Sequence, residues 1–402
     1  MVAESFLPHM NGVTHSILQV LRHLRERGDE AIVIAPAASW SAGWTQRAGE
    51  GQAPREVEGF PVHALPSVPL SGYSSVRVAA GTVGRLRGIL TAFGPDVVHI
   101  ASPFVLGWRA VQAAEELGIP SVAVYQTEVP GYAARYGAPW LEDVLWSHVA
   151  RLHNTATLTL APSSFTVRQL HAAGVRRVHL WGRGVDTRRF HPAKRDDALR
   201  AELAPHGERL IGFVGRLAHE KQVEDLRVLS DLPGTRLVVI GSGPLREQLE
   251  RRLPGAHFAG FQGGEDLARH VASLDLFVHP GESDTFGQTL QEAMASAVPV
   301  VAVGRGGPLD LVDPSRTGWL YAPGDLAGLR DRVTDLVYDD GKRAAFSEAA
   351  FATVQGRTWP VLCEQLIGHY ERAIRVRERQ RGVQARTYLR QSSGWDGGVL
   401  PR

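Results

Sequence analysis

Short apolar runs alternate with amphipathic segments along the whole chain. In the N-terminal half, HSILQVLRHLRERG places Ile17, Leu21 and Leu24 at helical spacing and stops at Gly28, a natural left-handed cap. EAIVIAPA, PDVVHIAS (95–102), PSVAVYQT (120–127) and TATLTLAPS (155–163) predict buried strands, and EELG (115–118) closes a helix. The pattern restarts near Leu210. RLIGFVGRL (209–217), TRLVVIGSG (235–243), LDLFVHP (274–280) and VPVVAVG (298–304) are short and apolar, as parallel strands covered on both faces are. QVEDLRVLSDL, GPLREQLERRL, GEDLARHVASL and FGQTLQEAMASA lie between them as helices. Strands interleaved with helices imply βαβ units, parallel sheets and the α/β class. Two α/β domains follow, 1–192 and 193–358, joined near FHPAKRDDALR (190–200). WPVLCEQLIGHYERAIRVRER (359–379) predicts a late helix with Leu362, Leu366 and Tyr370 on one side. Segment 38–59 predicts the longest loop, carrying Trp40 and Trp44.

The composition suits ordinary globular domains, with 44% hydrophobic and 21% charged residues in 402. It excludes a wholly disordered, collagen-like or coiled-coil chain. One cysteine, Cys363, allows no internal disulfide and fits a reducing compartment. No apolar run reaches the length of a membrane span, and MVAESFLPHM lacks the features of a signal peptide, so a cytoplasmic location is expected. In a doubly wound domain the first strand lies centrally, yet only MVAES precedes FLPHMNG. The natural start is therefore expected several apolar residues upstream. Glu371 to Arg402 holds eight Arg against three acids, a net +5, which leaves −3 for the rest of a chain of net charge +2. A basic tail on a mildly acidic body is not the pattern of a nucleic-acid binder, whose basic stripe lies on the folded domain. Residues 379–402 are expected to be a disordered, solvated tail, with contact to an anionic membrane surface as the alternative.

Elimination narrows the chemistry. The chain has no GxxxxGK[ST] loop, no HExxH, no metal-spaced cysteines and no GxSxG elbow, and Gly241-Ser-Gly-Pro-Leu-Arg lacks the third glycine of GxGxxG. No Asp-x-Asp occurs, so no divalent metal is expected. Four elements at strand-to-helix turns remain. Asp284-Thr-Phe-Gly-Gln-Thr-Leu-Gln-Glu292 opens a helix, where Gly287 permits close approach and the N–H groups of Gln288 and Thr289 face an anion. Asp284 and Glu292 flank that anion and can accept from hydroxyls, giving the order polyol, diphosphate, ribose. The same residues also suit a capped helix with solvated acids. Gly215-Arg-Leu-Ala-His-Glu-Lys221 sets Arg216 and Lys221 at the carboxyl edge of a sheet, two cations for a departing diphosphate or for a surface ion pair. Only three of the 44 basic residues are Lys, which favours a specific role for Lys221. Asn11-Gly12 opens the first helix, as a diphosphate-facing N-terminus or a plain cap. VGRGGPLDLV (303–312) is glycine-rich after a strand. His9, His99, His171 and His279 have no spacing that marks a partner and are expected to be structural.

GRLAHEK, GSGPLR, FxGF (258–261) and DTFGQTLQEAMAS followed by PVVAVGRGGPLDLV resemble, in this order, the retaining glycosyltransferases of family 4, over about residues 1–375. ESFLPHMNGVTHS, YQTEVPGYAARYG and DTFGQTLQEAMAS are most similar to bacterial GDP-mannose-dependent α-mannosyltransferases acting on lipid or glycolipid acceptors. The resemblance implies the GT-B architecture: two Rossmann-like domains facing across a cleft, with the donor mostly in the C-terminal one. It also implies a C-terminal helix (359–378) crossing back onto the N-terminal domain. Arg216 and Lys221 then match the diphosphate pair, and Asp284 and Glu292 the motif whose members contact donor sugar and ribose. Phe286, Gly287, Gln288 and Thr289 match its backbone donors, and Gly12 the N-terminal glycine loop. Gly215 and Phe261, in GRLAHEK and FxGF, join the donor site. The family's mechanism is front-face transfer, the leaving diphosphate helping to deprotonate the acceptor hydroxyl.

Two departures stand out. Asp284 replaces the usual Glu, shortening the reach to the sugar, and Gln126 stands where many members have His. Gln126 and Glu128 are the acceptor-side candidates, with His148 as a further substitute. The competing classes are a UDP-sugar transferase acting on a small molecule, a nucleotide-sugar epimerase of GT-B fold and a non-catalytic two-domain sugar binder. Segment 76–87, with Trp40 and Trp44, suits a basic, apolar face around a lipid acceptor.

Overall fold

The computed structural model describes residues 1–8, 10–37, 54–70, 73–101, 104–126 and 142–393. His9, Trp40, Trp44, Glu128 and residues 394–402 lie outside them. In the first half the strands are β1 (Val33–Pro36), β2 (Glu56–Val57), β3 (Phe60–Leu65), β4 (Ser67–Leu70), β5 (Tyr73–Ala79), β6 (Val98–Ile100), β7 (Ser121–Val124), β8 (Leu158–Ala161) and β9 (Val178–Leu180). β3 pairs with β1, and β6, β7, β8 and β9 pair in that order, all in parallel. Val2 bridges both Ile34 and Ile100 and so joins the two sets. The predicted loop 38–59 is shorter than expected, because Glu56–Val57 pairs antiparallel with β3. β3 itself gave no strand signal. It lies between β1 and the short β2, pairs in parallel on one side only, contains Pro61 and buries Phe60 and Leu65 alone of its six residues, so it forms no apolar run.

The second half holds β10 (Arg209–Val214), β11 (Thr235–Ile240), β12 (His257–Gly260), β13 (Leu276–His279), β14 (Val300–Val303) and β15 (Gly318–Tyr321). They form one parallel sheet in the order β12-β11-β10-β13-β14-β15. Alternation along β10 sends Leu210 and Val214 to one face, with Phe277, Leu290 and Met294. Ile211 and Phe213 go to the other, with Leu276, Leu329 and Val333. Both faces are therefore dry, which is why these strands read as continuous apolar runs. QVEDLRVLSDL is not the expected α-helix: Val223–Leu229 forms a 3-10 helix. At three residues per turn Val223, Leu226 and Leu229 eclipse on one side, and all three are buried.

The helix Trp359–Ser393 packs on the first sheet. Leu362, Cys363, Leu366, Tyr370 and Ala373 share a core with Ile17, Val20, Val122 and Leu160, each large side chain contributing about 1.5–3 kcal/mol by burial. Trp181 Nε1 donates to Leu362 O at 2.8 Å, and the buried His99 Nδ1 meets Tyr370 OH at 2.7 Å. This helix does not give way to a disordered tail at 379 but continues to Ser393. Arg377 Nε and Arg381 Nη2 donate to Gly118 O at 3.2 and 2.6 Å, and Arg377 pairs with Glu115 at 3.0 Å. These contacts serve the unsatisfied carbonyl end of the helix Val105–Leu117. Among the described residues no helix is long and apolar enough to cross a membrane.

Candidate active site

The carboxyl ends of β10 and β13 deliver the two strongest sequence elements to one place. Beyond β10, Gly215 packs on the Phe213 ring, with room for no more than about a hydrogen: a Cβ would stand 2.9 Å from it. Gly241 and Gly243 nest backbone to backbone against Gly215 and Leu217, so the GSGPLR turn braces this loop instead of presenting a phosphate cradle of its own. Arg216 is exposed and makes no ion pair among the described residues. Lys221 ends a short 3-10 turn, His219–Lys221, and its Nζ pairs with Asp284 Oδ1. Their side chains are 22% and 19% exposed. Lys221 is thus not the free loop cation that its spacing beside Arg216 allowed.

Five residues past the end of β13, Asp284 begins the turn into the helix Gln288–Ala295. Gly287 takes φ +91°, a conformation other residues adopt only with strain. The N–H groups of Gln288 and Thr289 make no hydrogen bond among the described residues, which leaves the positive end of this helix open. The glycines of 303–312 have a supporting role. Gly306 and Gly307 lie against the carbonyls of Asp284 and Phe286, and Gly307 N donates to Asp284 O at 3.0 Å. The Phe286 side chain is buried in the core. Phe261, at the carboxyl end of the edge strand β12, is 75% exposed.

Electrostatics separate the two carboxyls. Burial would raise Asp284, but the Lys221 ammonium and His279 beside it hold the group well below the usual carboxylate range. His279 Nε2 lies 2.7 Å from Asp284 Oδ2, off the line of a full hydrogen bond. His279, expected to be structural, thus touches the site; the four loop residues between it and Asp284 hide the contact from the sequence. Glu292 is buried with only Gln288 Nε2, at 3.3 Å, as a side-chain donor among the described residues, and burial pushes it up to about 7. One acid is kept ionised and the other poised near neutrality.

The opposing half contributes a group that no motif announced. Asn11 Oδ1 caps the first helix, accepting from Val13 N at 3.0 Å and Thr14 N at 2.9 Å. Gly12 does not simply clear that N-terminus for an anion: a Cβ there would stand 2.6 Å from Arg183 Nη1, so the guanidinium already fills the space. Arg183 Nη2 donates to Gln126 Oε1 at 2.7 Å, and Gln126 Nε2 donates to Ala101 O at 3.2 Å. Both polar ends of Gln126 are therefore used in holding Arg183 and the sheet end. The signal for Arg183 is local, a long cation between two glycines in LWGRGVD, directly after a strand. His148 packs edge-on against Trp108.

Polar contacts tie the halves together. Thr285 Oγ1 donates to Gln126 O (3.2 Å), Gln288 Nε2 to Gly184 O (3.2 Å) and Gln291 Nε2 to Arg183 O (3.0 Å). Asp310 accepts from the backbone N–H and hydroxyl of Ser164, at the start of the helix Ser164–Ala172. No group of three or more His, Cys, Asp or Glu able to hold a metal ion occurs among the described residues.

Comparison with known proteins gives this geometry a family. Residues 10–189 match the model described as glycosyltransferase family 4, and residues 194–353 that of glycosyl transferases group 1. The chain is 46% identical over 377 residues to a GDP-mannose-dependent alpha-mannosyltransferase of Mycobacterium tuberculosis, covering 94% of this chain and 96% of that protein. It is 47% identical over 374 residues to the Mycolicibacterium smegmatis protein of the same name, covering 93% and 96%. The crystal structure of Anabaena HepE in complex with UDP and glucose superposes with a TM-score of 0.71 at 21% identity, covering 92% of this chain and 97% of that one. Identity at this level over nearly the whole of both chains places the chain in glycosyltransferase family 4, as an enzyme of GT-B fold.

Proposed function

We propose that the protein transfers mannose from GDP-mannose to a hydroxyl of a lipid or glycolipid acceptor, with retention of the α configuration. The observation that carries this reading is the Lys221–Asp284 ion pair beside the open N-terminus of the helix bearing Glu292. Relatives 46% and 47% identical that are named for GDP-mannose support the choice of donor. In this reading the diphosphate sits against Arg216, Lys221 and the N–H groups of Gln288 and Thr289, with Gly215 and Gly287 permitting close approach. Asp284 accepts from a sugar hydroxyl and Glu292 from the ribose, and Phe261 offers an exposed ring to the donor.

During transfer the bond from the anomeric carbon to the diphosphate breaks while the acceptor oxygen bonds that carbon from the same face. The acceptor proton passes to a diphosphate oxygen. Negative charge grows on the diphosphate, so Arg216 and Lys221 act more strongly in the transition state than on bound donor. These cations and the helix N-terminus meet the charge without a divalent metal, so EDTA should leave the rate unchanged. The domains assigned are 1–192 for the acceptor and 193–358 for the donor. The enzyme works at the cytoplasmic face of a membrane, where segment 76–87 and the basic C-terminal helix meet anionic lipid. Flotation with liposomes, made with and without anionic lipid, tests that placement.

The deciding experiment incubates the protein with GDP-mannose or UDP-sugars, with and without lipid acceptors, and scores released nucleoside diphosphate and the anomer formed. Acceptor-dependent GDP release with an α product is expected. UDP release would change the donor, conversion of the nucleotide sugar without acceptor would make the protein an epimerase, and binding without turnover would make it a sugar binder.

A further inference from the structure

We infer that Arg183 is a third cation on the donor diphosphate, reaching it from the N-terminal half opposite Arg216 and Lys221. Arg183 is only 9% exposed, and no carboxylate lies within ion-pair distance of it among the described residues. Its hydrogen-bond partner is the neutral amide of Gln126, at 2.7 Å. A buried guanidinium without a counter-ion is costly unless charge arrives from elsewhere. The nearby acid that acts on it, Asp284, already shares its charge with Lys221. His15 beside it supplies no compensation: half-buried, it is pushed down to about 4 by burial and then by Arg183 itself, and so is held neutral.

The placement supports a ligand role over a purely structural one. The guanidinium lies on Gly12, where a side chain would collide with it. The N–H groups of Val13 and Thr14 are occupied by Asn11, so positive charge at this helix end comes chiefly from Arg183. Its backbone carbonyl accepts from Gln291, and that of Gly184 from Gln288, both on the helix whose N-terminus faces the proposed diphosphate. Closing the two halves thus holds Arg183 in register with that helix. A planar fork can bridge two phosphate oxygens in a way a point charge cannot.

The inference rests on the nucleotide-sugar reading above, and the test separates the two. Calorimetry on the full-length protein compares GDP with GMP for the wild type, Arg183→Gln and Arg183→Lys, with thermal unfolding as the control. In Arg183→Gln, GDP affinity should fall about tenfold or more, the usual effect of one charged hydrogen bond, while GMP affinity stays within about twofold. Arg183→Lys should fall between them and keeps the charge should the glutamine variant fail to fold. If the wild type prefers UDP, the donor assignment fails but Arg183 is tested in the same way with UDP and UMP. Equal diphosphate affinity in wild type and both folded variants, or a parallel loss for mono- and diphosphate, overturns the inference.

Discussion

His279 Nε2 stands 2.7 Å from Asp284 Oδ2 while Lys221 Nζ holds the other carboxylate oxygen. The histidine is the last residue of β13 and 2% exposed, so it is fixed by the sheet, whereas Lys221 comes from the loop after β10. A carboxylate gripped from two strands cannot swing, and a side chain one methylene shorter than Glu is set in a single position.

Asp284→Asn should therefore lower turnover about a hundred- to thousand-fold and also lower the melting temperature, since Lys221 loses its partner. The pair is partly exposed, so the stability loss should be below the roughly 3–5 kcal/mol of a fully buried pair. Because the folded Asp284 is held below its unfolded range, its stabilisation is complete above about pH 4 and fades only at lower pH. Thermal unfolding of both proteins at pH 5 and pH 8 should show the same difference; a gap that opens only at pH 8 would contradict the assignment.

Arg216→Ala and Lys221→Ala should separate rate from stability. Each removes a cation from the leaving group and should cost about a hundred- to thousand-fold in turnover. Arg216 is exposed and unpaired among the described residues, so its variant should melt with the wild type. Lys221→Ala leaves Asp284 with His279 alone and should melt earlier. Steady-state kinetics with calorimetric melts decide it. A Lys221→Ala protein altered only in Michaelis constant would remove this lysine from the chemistry.

Glu292 should show its raised affinity for a proton in both stability and binding. Its folded value of about 7 exceeds the unfolded one, so the protonated form favours folding and stability declines from about pH 4.5 up to about 7, then levels. Glu292→Gln abolishes that decline and should be more stable than wild type at pH 8, by on the order of 3 kcal/mol. Ribose hydroxyls need the ionised carboxylate as acceptor. Donor Michaelis constants of the wild type should then fall as pH rises through 7, while the variant's stays high and flat with turnover little changed. A pH-independent wild-type constant would argue against ribose contact.

Asp310 caps a helix of the other half through Ser164, so Asp310→Ala should loosen the closed arrangement. Loss of a helix cap typically costs about 1 kcal/mol, and here it falls on the contact between halves. Small-angle scattering should report a larger radius of gyration, with donor binding weakened but the fold retained. An unchanged radius would mean that the glutamine contacts suffice.

The turns after β10 and β13 were legible because their cause is local. Gly287 with the open donors of Gln288 and Thr289 forms a helix end with unpaired N–H groups wherever the segment Asp284 to Glu292 folds, and strands dry on both faces must be continuously apolar. The strand β3 was not legible, because the exposure of Pro61, His63 and Ala64 breaks the run. The extension to Ser393 was missed because the carbonyls that receive Arg377 and Arg381 belong to a helix end more than 250 residues earlier.

By itself the sequence determined the two parallel-sheet halves, the family resemblance and the identity of Arg216, Lys221, Asp284 and Glu292 as the charged groups of interest. Only the tertiary structure decided their state. Lys221 meets Asp284 across 63 residues, Gln126 meets Arg183 across 57, and Gly12 lies under a guanidinium from the far end of the first sheet. Charge, burial and proton affinity depend on which neighbours the crossovers bring within a few ångströms, and spacing along the chain carries no information about distance between the ends of different strands.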